Sequence, residues 1–385
     1  MATKRSLLEQ GPMNSVVLNP LNRREWLSLT AATSFLSVSA PIFAQGPDRN
    51  CEECGGLGVL PLKNRKPYFH VEGQAAPKPA EAVPHRFCPK CQPDRQDQEL
   101  VDEQAARLKN AAAANKQWEK ETSFSLTRVE SRHVTVHAQV PLPECIQIGQ
   151  GFESYAAYVQ NLTGTMELTR TSPATYEMIC LLGQEKYEHF RTVLEKLWSV
   201  EERGPAWSQS RGIAAFDHEK LPFFYETFPT LKQRPPVHGV CFMGGRRQLN
   251  IATNFRASRW LAEGYAEFSE FVSLKKNLWR TIYNMNPGPE PGDWVSQVRQ
   301  LAATKQLRPW EEQIKRDLSE WDARDYLQTF GMVAFLLQTE PKKFLNLTRK
   351  LRTGTEEQQA LEEAYEKPLA QLDADCTKWL VTRGR

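Results

Sequence analysis

The stretch at residues 259–268, RWLAEGYAEF, decides how the rest of this chain is read. Ser258 just before it is a good helix N-cap, and Trp260, Leu261, Tyr265, Phe268 and Val272 recur at the three-to-four spacing of one helical face. The pattern predicts a helix running to about Trp279. Glu263 and Glu267 lie four residues apart, on one face with Glu270 close by, and the expectation is an acidic face, solvated or hydrogen-bonded. Gly264 in the interior costs about 1 kcal/mol relative to Ala. Its presence predicts close packing of this helix against another backbone.

Working outward, residues 123–140 (SFSLTRVESRHVTVHAQV) carry β-branched alternation, and residues 175–198 (TYEMICLLGQEKYEHFRTVLEKLW) have amphipathic helical spacing. RGIAAF at 211–216 reads as a strand, followed by a short helix that Pro229 ends. VHGVCFM and RRQLNIA flank Gly244 and Gly245, which predicts a two-residue β-hairpin with His238 in its first arm. From Trp294 onward the chain reads as helices. Residues 97–120, rich in Ala, Gln, Glu and Lys, read as a connecting helix.

RWLAEGYAEF resembles the WLxEGxAE segment of the gluzincin metallopeptidases, the aminopeptidase-like peptidase MA group. DYLQTFGMVAFLL (325–337) and the helices after it resemble the carboxy-terminal part of secreted bacterial members. The resemblance implies that Glu263 is the third zinc ligand, that Glu267 is its neighbour, that Tyr326 begins a helix facing the cleft, and that two further ligands come from an HExxH helix upstream, whereas Tyr326 by itself reads as a core aromatic. No HExxH occurs in the chain. His218-Glu219-Lys220-Leu221-Pro222 ends in proline, and His238 has neither the glutamate nor the second histidine. With a hairpin at Gly244 and Gly245, no room remains for such a helix, so the catalytic helix is expected to be missing.

A second signal lies upstream. CEECGGLG (51–58) and CPKC (88–91) each set two thiolates two residues apart, so Cys51, Cys54, Cys88 and Cys91 form a four-sulfur metal site. A closed tetrahedral thiolate shell leaves no place for water, so one structural Zn2+ is expected, with iron as in rubredoxin the alternative. A redox dithiol and disulfides formed after export are the competing readings. CEECGGLG resembles one CxxCxGxG repeat of DnaJ-type zinc modules. QAAPKPAEAVP (74–84) between the knuckles reads as an irregular loop, and His70 and His85 read as loop residues. Cys145, Cys180, Cys241 and Cys376 are isolated and read as buried free thiols.

Residues 22–44, NRREWLSLTAATSFLSVSAPIFA, place paired arginines before a weakly apolar run and resemble a twin-arginine export signal cleaved after Ala44. Composition is that of a folded soluble protein, 40% apolar with 18 Phe and 10 Trp. Net charge is +3, and the first 44 residues supply +2 of it, so no nucleic-acid footprint is expected; Arg246 and Arg247, Lys275 and Lys276, and Lys342 and Lys343 read as solvated surface. Membrane contact is expected only through an uncleaved signal segment.

The expected organisation is a signal peptide at 1–44, a zinc-ribbon-like module at 45–96, a connecting helix at 97–122 and an α+β, mostly helical gluzincin-like domain with a short sheet at 123–385. The expected role is an exported, periplasmic or extracellular zinc-binding protein. Its peptidase-like domain has lost activity and binds a peptide or cell-envelope partner. The alternatives are an active metallopeptidase with ligands such as His218, His238 and Glu263, or a protein that docks through its zinc module.

Overall fold

Valine alternation at Val129, Val134 and Val136 builds the first strands of the sheet. β4 (Thr127–Ser131) and β5 (Val134–Ala138) pair antiparallel, and every residue of β5 is buried, as a strand covered on both faces must be. The structure is a computed structural model that describes residues 51, 53–54, 58–61, 69–71, 83, 85–131, 133–164, 168, 176–197, 213–217, 222–228, 236–279 and 293–382. The segment read as an export signal, most of the expected 74–84 loop and His218 lie outside the described residues.

Two earlier strands belong to the cysteine segment, β1 (Val59–Pro61) and β2 (Phe69–Val71), and a third, β3 (His85–Phe87), pairs antiparallel with β1. β2 instead joins the main sheet, antiparallel to β4. Helix α1 (Asp97–Thr122) follows, opened by a capping box between Gln96 and Glu99, and its Asp97 carboxylate accepts the Phe87 N–H at 2.9 Å. α1 is more than a connector, because Trp118 is wholly buried against Phe190.

After α2 (Leu142–Thr163), the run expected to be one amphipathic helix divides into strand β6 (Tyr176–Leu182) and helix α3 (Gln184–Leu197). Gly183 stands between them at φ 94°, a conformation that suits glycine and breaks the period. β7 (Ile213–Asp217) is the expected strand. The short helix predicted before Pro229 is strand β8 (Pro222–Phe228), where the aromatic run Phe223, Phe224 and Tyr225 favours a pleated surface. The six-stranded sheet has the order β2-β4-β5-β6-β8-β7, with β6 parallel to both of its neighbours.

The predicted hairpin is a helix. α4 (Pro236–Ala252) runs straight through Gly244 and Gly245, so the segment has room for a helix after all. Its glycines serve close crossing and not a turn: a β-carbon on Gly244 would strike Phe152 of α2, and one on Gly245 would fall on the Ser269 side chain of α5 (Arg259–Leu274). α5 ends at Leu274, with Lys275 left-handed, short of the expected Trp279. Ser258 holds the N-cap position, but its hydroxyl donates to Glu357 Oε1 at 2.7 Å instead of capping the helix.

The carboxy-terminal half is helical as expected: α6 (Trp294–Ala303), α7 (Trp310–Gln313), α8 (Ala323–Thr339), α9 (Pro341–Thr353), α10 (Glu357–Tyr365) and α11 (Leu369–Thr382). α5 and α8 lie at the centre of one large apolar core with Trp260, Tyr265, Phe268, Phe330 and Phe344, while Val240, Phe242 and Met243 of α4 join a second core under the sheet. Tyr326 is a core aromatic packed edge-on to Trp321, 5.1 Å between ring centres. Residues 47–385 form one compact unit with α+β content dominated by helices. Among the described residues no helix is long and apolar enough to cross a membrane.

Gly264 meets its expectation: a β-carbon there would overlap the carbonyl of Thr329 on α8. Gly264→Ala is therefore expected to lose roughly 1–3 kcal/mol from overpacking, reversing the gain of about 1 kcal/mol that helix propensity alone would give. Denaturant midpoints of the two proteins decide between these signs. A second prediction concerns Glu357. Burial lifts its carboxyl from the ordinary 4.5 to about 7, against the Ser258 hydrogen bond that pulls it down. The folded state thus binds the proton more tightly, so this group's contribution is full below about 4.5 and is lost as pH rises through about 7. Glu357→Gln should flatten that fall in stability between these two values in pH-resolved unfolding.

Candidate metal centre and the buried carboxylates of the paired helices

Each cysteine knuckle borders one strand of the β1–β3 pair, which brings the two together across 37 residues of sequence. Gly58, left-handed at φ 72°, joins them: its N–H donates to Cys54 Sγ at 3.2 Å and its carbonyl accepts the Cys88 N–H at 2.9 Å. Cys51, Cys54 and Cys88 are buried and Cys91 is half-buried. All four sulfurs lie within 4.8 Å of one another, with Cys51 to Cys88 at 3.8 Å and Cys54 to Cys91 at 3.5 Å.

These separations exceed the bonded S–S length of about 2.0 Å, so the sulfurs are thiols and not disulfides. They match the edge of a tetrahedron with metal–sulfur bonds of about 2.3 Å, which is about 3.8 Å. The cluster can hold a metal ion, and its all-sulfur donor set suits a soft one. Burial pushes the Cys54 and Cys91 thiols up, and neighbouring sulfurs raise Cys91 further; at Cys51 burial is outweighed by hydrogen bonds from the Cys54 and Glu53 backbone, which bring it down to about 7. Crowded thiolates that repel one another are what a divalent cation stabilises. His70 and His85 are not loop residues as expected: they sit in β2 and β3, and His70 faces Glu130 at 3.9 Å.

The second constellation lies where α4 crosses α5. Glu263, Glu267 and Glu270 are each completely buried, so the face that was allowed to be solvated is an interior one. Buried carboxylates require partners, and the three obtain them differently. Glu263 Oε1 meets the Arg246 guanidinium at 3.2 Å. Glu267 Oε2 accepts from Asn277 Nδ2 at 3.2 Å. Glu270 Oε1 accepts the N–H groups of Leu278 and Trp279 at 2.7 and 2.9 Å and lies 2.7 Å from His238 Nδ1. His238 thus sits in the first turn of α4, not in a hairpin arm, and is oriented by a fixed carboxylate.

No family model matches this chain, and no curated protein matches it. The sites therefore rest on their own geometry. Among the described residues the four cysteines are the one group of histidine, cysteine and carboxylate side chains gathered closely enough to hold an ion. The geometry gathers Glu263, Glu267 and His238 along one helix crossing, with Arg246, Asn277 and Glu270 among their respective partners.

Two features escaped the sequence reading. Arg246 read as solvated surface, although its charge reaches the buried Glu263. Ser131, His133 and Glu153 form an interior network, with Glu153 bonded to His133 Nδ1 at 2.8 Å and to the Ser131 hydroxyl at 2.7 Å. Burial raises the Glu153 carboxyl, but His133 and Ser131 outweigh it and hold it below the ordinary carboxylate value. The isolated cysteines behave as expected: all four are free and buried, and burial lifts Cys145 and Cys241 to about 12. Thiols of that kind are inert.

Arg246 brings a cation to a fully buried carboxylate, so Arg246→Ala should lose roughly 3 kcal/mol of stability. Adding Glu263→Gln to Arg246→Ala should recover a large part of that loss. A double-mutant cycle by chemical denaturation measures the coupling, and strict additivity would show that the pair contributes nothing.

Proposed function

We propose that this chain is an exported zinc protein whose cysteine site is structural and whose peptidase-like helix pair acts by binding, without a catalytic metal. The observation that carries the reading is Arg246 against Glu263. Glu263 is the residue that the gluzincin resemblance assigns as a zinc ligand, and a fixed cation already neutralises it. α4 supplies Arg246 to that carboxylate and carries a single histidine, His238, where a zinc peptidase needs two imidazoles on the facing helix.

The histidine of α4, His238, is engaged with Glu270 in the first turn. Without a metal-bound water and a glutamate placed beside it, hydrolysis by this route has no nucleophile. Binding of a peptide or cell-envelope partner is the activity left to such a domain. The four thiolates hold a single Zn2+, which ties the two knuckles together as part of folding. The paired arginines before the apolar run at 27–44 support export by the twin-arginine route to the periplasm or beyond, which would carry the thiols out already metallated.

Metal analysis of the purified full chain tests the reading. One zinc per chain is expected, unchanged by Glu263→Gln and lost when Cys51 and Cys88 are both replaced by serine. A second equivalent that disappears with Glu263→Gln would overturn the inactive assignment. Iron in place of zinc would overturn the metal's identity while leaving its structural place.

A further inference from the structure

The turn that links α4 to α5 carries a bulky side chain in a conformation that bulky residues avoid. Asn254 and Phe255 are left-handed, with φ 53° and 58°. Asparagine tolerates this conformation, whereas for phenylalanine it is an outlier held in place by surrounding structure. The hold is visible: the Phe255 N–H donates to Asn250 O at 2.6 Å, and the Thr253 hydroxyl accepts the Ala257 N–H at 3.3 Å. The strain does not serve packing, because Phe255 is 53% exposed, one of few large apolar residues left in solvent among the described residues. Its inner side rests on the Arg247 guanidinium, 5.0 Å from the ring centre.

The same turn is bordered by the end of the most basic helix among the described residues. α9, PKKFLNLTRKLRT, has five cations and no acidic residue, and its apolar residues Phe344, Leu345, Leu347 and Leu351 are turned into the core. Its last turn abuts the α4–α5 turn: Arg352 Nε donates to Ala252 O at 2.6 Å, and the Arg256 guanidinium lies over Gly354. Arg256 is exposed beside Phe255, and Arg349 and Lys350 belong to the same end of α9, Lys350 partly offset by Glu363 at 2.6 Å. Arg256 thus stands beside the apolar tip, backed by the basic end of α9, whose Lys350 and Arg352 are themselves engaged within the chain.

We propose that this turn docks on an anionic phospholipid bilayer, with Phe255 entering the headgroup region and the exposed Arg256 meeting phosphates. Guanidinium forks match phosphate oxygens, and cations beside an exposed aromatic are the pattern that combines charge attraction with apolar insertion at a membrane surface. A rigid, preset tip loses little conformational freedom on docking. The aromatic tip favours a bilayer over nucleic acid, whose backbone would engage the cations alone. The docking surface is independent of the metal content of the cysteine site.

Co-sedimentation of the full chain with vesicles tests this, using phosphatidylcholine alone against equal parts phosphatidylcholine and phosphatidylglycerol. The anionic vesicles should retain the protein many-fold better, with the difference falling as salt rises. Arg256→Gln should reduce retention about fivefold, and Phe255→Asn should reduce it several-fold. The N-terminal apolar segment is common to all variants, so the comparison isolates the turn. Phe255→Asn relieves the left-handed strain and should melt no lower than the parent, which separates lost docking from lost folding. Equal binding to both vesicle types, or variants that bind like the parent, would overturn the proposal. So would retention of a duplex oligonucleotide by a protein that ignores the vesicles.

Discussion

The close approach of three helices at two glycines sets the rest of the molecule. At Gly245 the backbone of α4 lies against Ser269 of α5, and at Gly264 the backbone of α5 lies against the Thr329 carbonyl of α8. A single β-carbon at either crossing would push the helices apart. The close approach closes the space around Glu263, Glu267 and Glu270, so their carboxylates must be answered by protein groups and not by water. Arg246, Asn277, His238 and the N–H groups after α5 supply those answers. Packing thus dictates the electrostatics of the crossing.

This ordering explains which parts of the chain could be read in advance. The cysteine site was legible because two CxxC knuckles admit few geometries other than convergence on one centre. Gly264 was legible because a helix-weakening residue inside a strong helix demands a reason, and a neighbouring backbone is the commonest. Gly244 and Gly245 misled for the opposite reason. Glycine serves a hairpin through its positive φ and a helix crossing through its missing β-carbon, and local sequence does not say which property is used. The residues that distinguish the two, Phe152 and Ser269, are distant in sequence.

Charge was the least legible quantity. Helical spacing placed Glu263 and Glu267 on one face correctly, yet it cannot tell a solvated face from a buried one whose partner comes from another helix. Arg246 and Arg247 were adjacent in sequence and diverged in role, one reaching the buried Glu263 and the other supporting the Phe255 ring. The strands β6 and β8 failed similarly, because short apolar runs fit a buried strand as well as a helix until Gly183 and the aromatic content are weighed.

β2 gives the cysteine segment a structural debt to the main sheet. It is drawn from between the two knuckles, yet its hydrogen bonds run to β4, where it closes that side of the six-stranded sheet. Opening of the knuckles would release the ends of the segment that carries β2 and leave the outer edge of β4 without its cover. An uncovered edge is a template for another chain. Because β2 is itself a short edge, its loss would exchange a three-residue edge for the longer, five-residue edge of β4.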